Sequence, residues 1–365
     1  MPAKLPAVQD RVKHKVTKGR GATLQIEGRF EHVARERVDD GWGAADEELP
    51  PFRTTVTAEK ARSVIQRHAS PDLPFDHSLN AYRGCEHGCI YCYARPSHAY
   101  LNLSPGLDFE TKLFAKPEAA KLLRAELAKP AYRCSPIALG SNTDPYQPIE
   151  REWKITRQIL AVLAECRHPL SIVTKSALVE RDIDLLAQLA REDLVQVFIS
   201  VTTLDAELAR KLEPRAASPR RRLQAIQRLN EAGVPCGVMV APVIPFLTDA
   251  ELESVLQAAY EHGARTTAYT LLRLPYELKD LFKDWLAVHY PLKAEHVMGR
   301  LREMRGGREN DPKFGSRFSG QGLFAQLLSR RFHLACERLG FNREPVLLDT
   351  SRFIRPSASG QQSLF

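Results

Sequence analysis

The chain has no apolar run of the ~18 residues that a membrane-spanning helix needs. Its longest candidate, Val234 to Leu247, is interrupted by three prolines. The start, Met1-Pro2-Ala3-Lys4-Leu5-Pro6, has no apolar core of the kind a secretory signal carries, so a cytoplasmic protein is expected. An even, dispersed cysteine set is also missing. There are seven cysteines, three of them within eight residues, which argues against a disulfide framework. Cys134, Cys166, Cys236 and Cys336 are scattered and are expected as small core residues. No second C-x2-C knuckle accompanies Cys89 and Cys92, so the usual four-thiolate zinc plug is absent.

What the chain does have is Cys85-x3-Cys89-x2-Cys92, in the stretch Asn80-Ala81-Tyr82-Arg83-Gly84-Cys85 to Tyr93-Ala94-Arg95-Pro96. Soft thiolates at short range select zinc or an iron–sulfur cluster. A Cys3His zinc site completed by His87 or His98 is one reading. The other is a 4Fe-4S cube held by Cys85, Cys89 and Cys92. Three thiolates leave its fourth iron without a protein ligand, and a small molecule can bind there, so the triad suits a working cluster better than a structural plug.

Short apolar strands alternate with amphipathic helices after residue 77. Strands are expected at about 78–82, 136–140, 170–174, 195–201, 236–241 and 267–274. Helices are expected at 117–128, 151–166, 180–191, 205–212, 219–232 and 249–262, with another running from the cysteine loop through Tyr100. This rhythm reads as a parallel sheet covered by helices, an α/β fold of partial-barrel type whose chemistry sits at the strands' C-terminal ends. The cysteine loop follows the first of these strands, as that rule requires. A short helix is expected at Thr57–His68. Beyond Pro275 the pattern turns helical, at 277–289, 294–304 and 321–340.

The domain reading is thus a flexible basic arm over 1–50, a core over 51–275, a helical extension over 276–355 and a flexible tail over 356–365. The formal charge is +8. Residues 1–20 hold six Lys/Arg against one Asp, and residues 299–343 hold ten against four acids. Such surfaces attract polyanions, which makes nucleic acid an expected partner, with DNA favoured.

The cysteine spacing, the Gly-Cys entry and the aromatic before the last cysteine resemble the radical S-adenosylmethionine (SAM) superfamily. Cys89-Ile90-Tyr91-Cys92-Tyr93-Ala94-Arg95-Pro96, Val173-Thr174-Lys175-Ser176, Ile199-Ser200-Val201, Glu213-Pro214 with Arg222, and Val240-Ala241-Pro242-Val243-Ile244 are similar, in order, to spore-photolyase-like members. The likeness is closer still to a bacterial branch labelled "DNA repair photolyase".

Over residues 50–355 the resemblance implies a (β/α)6 partial TIM-type barrel, a 4Fe-4S cluster, SAM, and an electron donor such as flavodoxin or ferredoxin. In that family the reduced cluster cleaves SAM, and a 5′-deoxyadenosyl radical abstracts hydrogen from the substrate. It further implies that the peptide at Ile90 and Tyr91 contacts adenine and that Lys175 and Arg222 meet the SAM carboxylate. Arg220 and Arg221 are as basic as Arg222, and the sequence does not choose among them. Ser200 is placed near the ribose.

Where many members have Gly-Gly-Glu for the SAM amino group, this chain has Gly140-Ser141-Asn142-Thr143-Asp144, so Asn142 and Asp144 take that place. Ser141 falls where spore photolyase has the cysteine that returns hydrogen to product. A serine O–H is too strong a bond for that role, which argues against thymine-dimer reversal by that route. Tyr93, beside the cluster, is the expected radical relay.

Gln361-Gln362-Ser363-Leu364-Phe365 resembles the peptide by which replication and repair proteins dock on the sliding clamp. The function expected is a radical SAM enzyme, a lyase or modification enzyme acting on nucleic acid. The alternatives are RNA or protein as substrate, or a nucleic-acid binder with a structural or redox-sensing metal.

Overall fold

The computed structural model describes residues 17–30 and 53–357. Six parallel strands form the spine: β1 (His77–Leu79), β2 (Ile137–Leu139), β3 (Leu170–Thr174), β4 (Val195–Ser200), β5 (Cys236–Val243) and β6 (Thr266–Leu271). They pair in sequence order as an open sheet, with Ile65–Arg67 antiparallel on the outer edge of β1. β2 to β5 are rich in buried aliphatic residues, β1 is a buried His-Ser-Leu, and β6 is rich in Thr and only part-buried. Short apolar runs between amphipathic helices mark the strands of a covered parallel sheet, and this made β2 to β5 legible.

Helices connect them: α1 (Ala119–Leu127), α2 (Ile155–Glu165), α3 (Ile183–Ala190), α4 (Ala206–Leu212), α5 (Pro219–Glu231) and α6 (Leu252–Glu261). Asp205 caps α4 by accepting from the Glu207 and Leu208 N–H groups. Ser218 caps α5, with Pro219 as its first residue. Three more helices follow β6: α7 (Leu278–His289), α8 (Ala294–Glu303) and α9 (Leu323–Leu339). No described helix is long and apolar enough to cross a membrane.

Several expectations need correction. The helix expected at Thr57–His68 is two strands, Thr55–Ala58 and Ile65–Arg67. Thr55, Val56 and Thr57 are β-branched and pair in parallel with Lys112–Ala115, so strand pairing overrides the weak helical pattern. The helix from the cysteine loop to Tyr100 is a 3-10 segment, Arg95–Leu101. The first core strand stops at Leu79, and Tyr82–Arg83 instead pairs with Lys112–Ala115 in a small second sheet.

The basic arm differs too where it is described. Ala22, Leu24 and Ile26 are buried in the main core. Cys166, Cys236 and Cys336 are buried free thiols as expected, and Cys134 is half-buried. The clamp-like residues Gln361–Phe365 lie outside the described residues.

Candidate active site

The cysteine loop leaves β1 and is fastened from every side. Asn80, just past the strand end, accepts from the Asn142 N–H (3.0 Å) and the Thr143 N–H (3.2 Å) through Oδ1. Its Nδ2 donates to Ser141 Oγ (3.1 Å). One amide side chain thereby sets the loop that follows β2. Buried Gln147 accepts from the Glu86 N–H (2.9 Å) and donates to the Gly84 carbonyl (3.2 Å). The Ile90 N–H donates to the Leu212 carbonyl (3.0 Å), tying the loop to the end of α4.

Arg95 is fully buried. It donates to the carbonyls of Cys89 (2.8 Å), Gly88 (2.9 Å) and Gly106 (2.9 Å), and to Glu110 (2.5 Å). Glu110 also accepts the N–H groups of Gly21 (3.0 Å) and Ala22 (2.8 Å), so the N-terminal segment straps down the cysteine loop. The crossing is tight. A Cβ on Gly21 would lie 1.8 Å from the Gly88 carbonyl oxygen, and Gly88 itself has φ +69°. Gly21→Ala is therefore expected to lower the thermal midpoint by an amount corresponding to about 1–3 kcal/mol, the usual range for overpacking. An unchanged melting curve would show that the strap is not fixed as described.

Cys85 and Cys89 are buried and Cys92 is half-buried, with Ala94 and Phe109 packed against this end of the loop. All three are free thiols. Burial pushes them up; Lys175 opposes this at Cys89 and Cys92. Ligation to metal, which requires thiolates, must offset that desolvation.

The two histidines of the zinc alternative are engaged elsewhere. His87 Nδ1 faces Asp144 (3.4 Å), and His98 Nε2 faces the Lys112 carbonyl (3.0 Å). Among the described residues no three His, Cys, Asp or Glu side chains converge to hold a single metal ion.

At the ends of β3 and β4 a second group forms around Glu213. Its carboxylate accepts from the Tyr91 and Thr202 hydroxyls, the latter at 2.8 Å, and from Arg222. Burial pushes Glu213 up, but Arg222 and Lys175 together hold it at about 2. Asp144 is built alike. It accepts from the Thr174 hydroxyl (2.6 Å), the Tyr146 N–H (2.9 Å) and the Lys175 N–H (2.7 Å), and it is held at about 2 by His87 against the effect of burial.

The family model described as the Radical SAM superfamily matches residues 79–259, from the end of β1 through most of α6. An uncharacterized protein of Mycobacterium tuberculosis is 41% identical over 234 residues, covering 64% of this chain and 68% of that one. The chain belongs to the radical SAM superfamily. An uncharacterized protein of Methanocaldococcus jannaschii is 29% identical over 222 residues, covering 61% of this chain and 79% of that one.

Among solved structures, spore photoproduct lyase complexed with dinucleoside spore photoproduct superposes with a TM-score of 0.55 at 15% identity, over 78% of this chain and 80% of that one. A mutant of the same lyase with bound AdoMet gives 0.56. At that identity the likeness shows the fold.

The radical SAM enzyme's cofactors are a 4Fe-4S cluster and SAM, and the residues present fit them: three free thiols on one pinned loop at the C-terminal ends of the strands. When bound, the pair supplies a carbon-centred radical that takes hydrogen from a substrate.

The expected site residues come together around this loop, in differing states. The Lys175 ammonium makes no hydrogen bond or ion pair among the described residues and lies 5.7 Å from the Tyr91 ring centre. Arg222, rather than Arg220 or Arg221, turns inward. Its guanidinium donates to the carbonyls of Ser200 (3.0 Å) and Ala217 (2.7 Å) and to Glu213. Arg221 pairs with Glu180 on the outside.

Both oxygens of Asp144 are likewise occupied within the protein. Asn142 offers its backbone to Asn80, and Ser200 is buried at the end of β4. Tyr91 is committed to Glu213, and Ile90 is wholly buried. The two residues placed in catalysis do meet: the half-exposed Tyr93 donates its hydroxyl hydrogen to the Ser141 carbonyl.

Asn80, Gln147, Glu110, Glu213 and Arg95 were not singled out for roles from sequence. Asn80, Arg95 and Glu213 stood in or beside the quoted motifs without a role attached, and Gln147 and Glu110 carried no such signal.

Proposed function

We propose that this radical SAM enzyme abstracts hydrogen from a nucleic acid, with DNA favoured, and that Tyr93 relays the radical next to Ser141. The observation that carries this reading is an aromatic–arginine rim. Arg29, whose charge is paired with Glu277 (3.0 Å), lies 4.8 Å from Phe30, 4.9 Å from Tyr100 and 4.3 Å from Tyr276, and all three rings are exposed. Tyr100 ends the cysteine-loop segment and Tyr276 follows β6, so the rim belongs to the mouth of the barrel. Exposed rings beside guanidinium groups stack bases without regard to sequence. The basic balance of the chain supplies the long-range attraction, and the structural neighbour's complex with a dinucleoside supports it by analogy of fold.

The test is SAM turnover. Anaerobically reconstituted, dithionite-reduced protein is incubated with single-stranded DNA, duplex DNA, RNA or none. DNA is expected to raise 5′-deoxyadenosine release several-fold, and hydrogen should pass from the DNA into that product when the DNA is deuterated. Equal release in all arms, with no deuterium transfer, would point to a protein or metabolite substrate instead.

A further inference from the structure

Tyr93 has a second neighbour besides Ser141. Two residues beyond β6, the guanidinium carbon of Arg273 lies 5.5 Å from the Tyr93 ring centre and 5.3 Å from that of Phe318. One ring comes from the cysteine loop and the other from the segment between α8 and α9. Among the described residues Arg273 donates no hydrogen bond and forms no ion pair, and its Nε is buried without a partner.

Its charged neighbours are also arginines: Arg317 is paired with an acid, and Arg305 is engaged with backbone carbonyls although its Nε, like that of Arg273, is buried without a partner. Arg317 has its Nε 2.8 Å from Asp72 and donates to Ser70 Oγ at 2.6 Å. Arg305 donates to the carbonyls of Leu271 (3.3 Å), Leu272 (2.8 Å), Ser316 (3.0 Å) and Arg317 (2.8 Å). Burial and the charge of Arg317 both pull Arg273 below its ordinary range.

A half-buried cation with no anion costs free energy that ring contacts offset only in part. A fold retains such a group where a ligand completes it. The guanidinium fork is pre-shaped for two oxygens of a phosphate. Its flanks suit what adjoins a phosphate in a nucleic acid: the Phe318 face, and Phe314, exposed and 4.8 Å from Arg317.

We propose that Arg273 is the anion subsite of this enzyme, gripping a substrate phosphate so that the neighbouring nucleoside lies against Tyr93. The phosphodiester form of the proposal rests on the nucleic-acid reading above; the anion subsite itself does not.

Two probes separate these claims. The first is inorganic phosphate at constant ionic strength, read as a thermal shift on full-length protein. Phosphate should raise the melting temperature of the wild type and of Arg273→Lys, and not that of Arg273→Gln. In chloride alone Arg273→Gln should melt no lower than wild type, because an unpaired cation has been removed. A purely structural arginine would give the opposite.

The second probe is a dinucleotide with a phosphodiester linkage, compared with its uncharged methylphosphonate. Wild type should prefer the charged form and Arg273→Gln should show no preference. With a longer single strand, the slope of log affinity against log salt should shrink by about 0.7, the value of one phosphate contact. Phosphate stabilisation without dinucleotide binding keeps the subsite and discards nucleic acid as substrate. Dinucleotide binding that Arg273→Gln leaves intact, with no Arg273-dependent phosphate effect, overturns the subsite while nucleic acid stands.

Discussion

Replacing Cys85, Cys89 and Cys92 together by alanine is expected to abolish iron binding and SAM cleavage while the barrel still folds. The wild type, reconstituted without oxygen, should hold about four iron and four sulfide per chain and show the brown absorbance of a 4Fe-4S cluster. The triple variant should be colourless and release no 5′-deoxyadenosine. The fold should survive because the loop does not depend on metal for its shape. Asn80, Gln147 and Arg95, with the Gly21–Ala22 strap on Glu110, hold it through side-chain and backbone hydrogen bonds. The melting curve of the metal-free variant is the check on that second half. A wild type that retains zinc and no iron under strict anaerobic conditions would sink the assignment.

Breaking the Glu213–Arg222 pair should have the largest effect on stability. Removing one partner of a buried pair strands the other charge and costs about 3–5 kcal/mol, against a usual total of roughly 5–15. Glu213→Ala should be the more damaging, since it also strips the Tyr91 and Thr202 hydroxyls of their acceptor. The double replacement Glu213→Leu with Arg222→Met should cost less than either single change, because no lone charge remains. Urea unfolding of the four proteins measures this directly.

The pH dependence has a definite sign. Glu213 is depressed from 4.5 to about 2 in the folded state, so the unfolded chain takes up the proton first as pH falls. The contribution is complete above about pH 4.5 and is lost progressively as pH falls to about 2. Glu213→Gln should flatten that part of the acid-denaturation curve. A curve that keeps its wild-type steepness in this range would show that other carboxylates carry it.

Much of this was readable before any coordinates. The triad stood out because its spacing serves few chemistries. The strands of 170–174 and 236–241 stood out as short, mostly apolar runs between amphipathic helices, as a sheet covered by helices requires. Inward-facing Arg222 was narrowed to three candidates, and only packing could choose among them, since helix α5 turns its neighbour Arg221 out to Glu180.

What stayed hidden depends on long-range partners. Glu110 sits 89 residues from Gly21, and nothing near either residue announces the contact. The helix expected at Thr57–His68 failed partly for the same reason, because Thr55–Ala58 pairs with the remote Lys112–Ala115, while Ile65–Arg67 pairs with the nearby His77–Leu79. The sequence also gives Arg273 the look of an ordinary basic residue. Its lack of a partner appears only once Tyr93 and Phe318 are seen against it.

Arg305 joins two segments that are distant in sequence. This one buried side chain clasps the carbonyls of Leu271 and Leu272 on the barrel to those of Ser316 and Arg317 on the neighbouring segment. Because the acceptors are backbone carbonyls, this clasp does not depend on which side chains stand at positions 316 and 317, and sequence can vary there without loosening it provided Arg305 is kept.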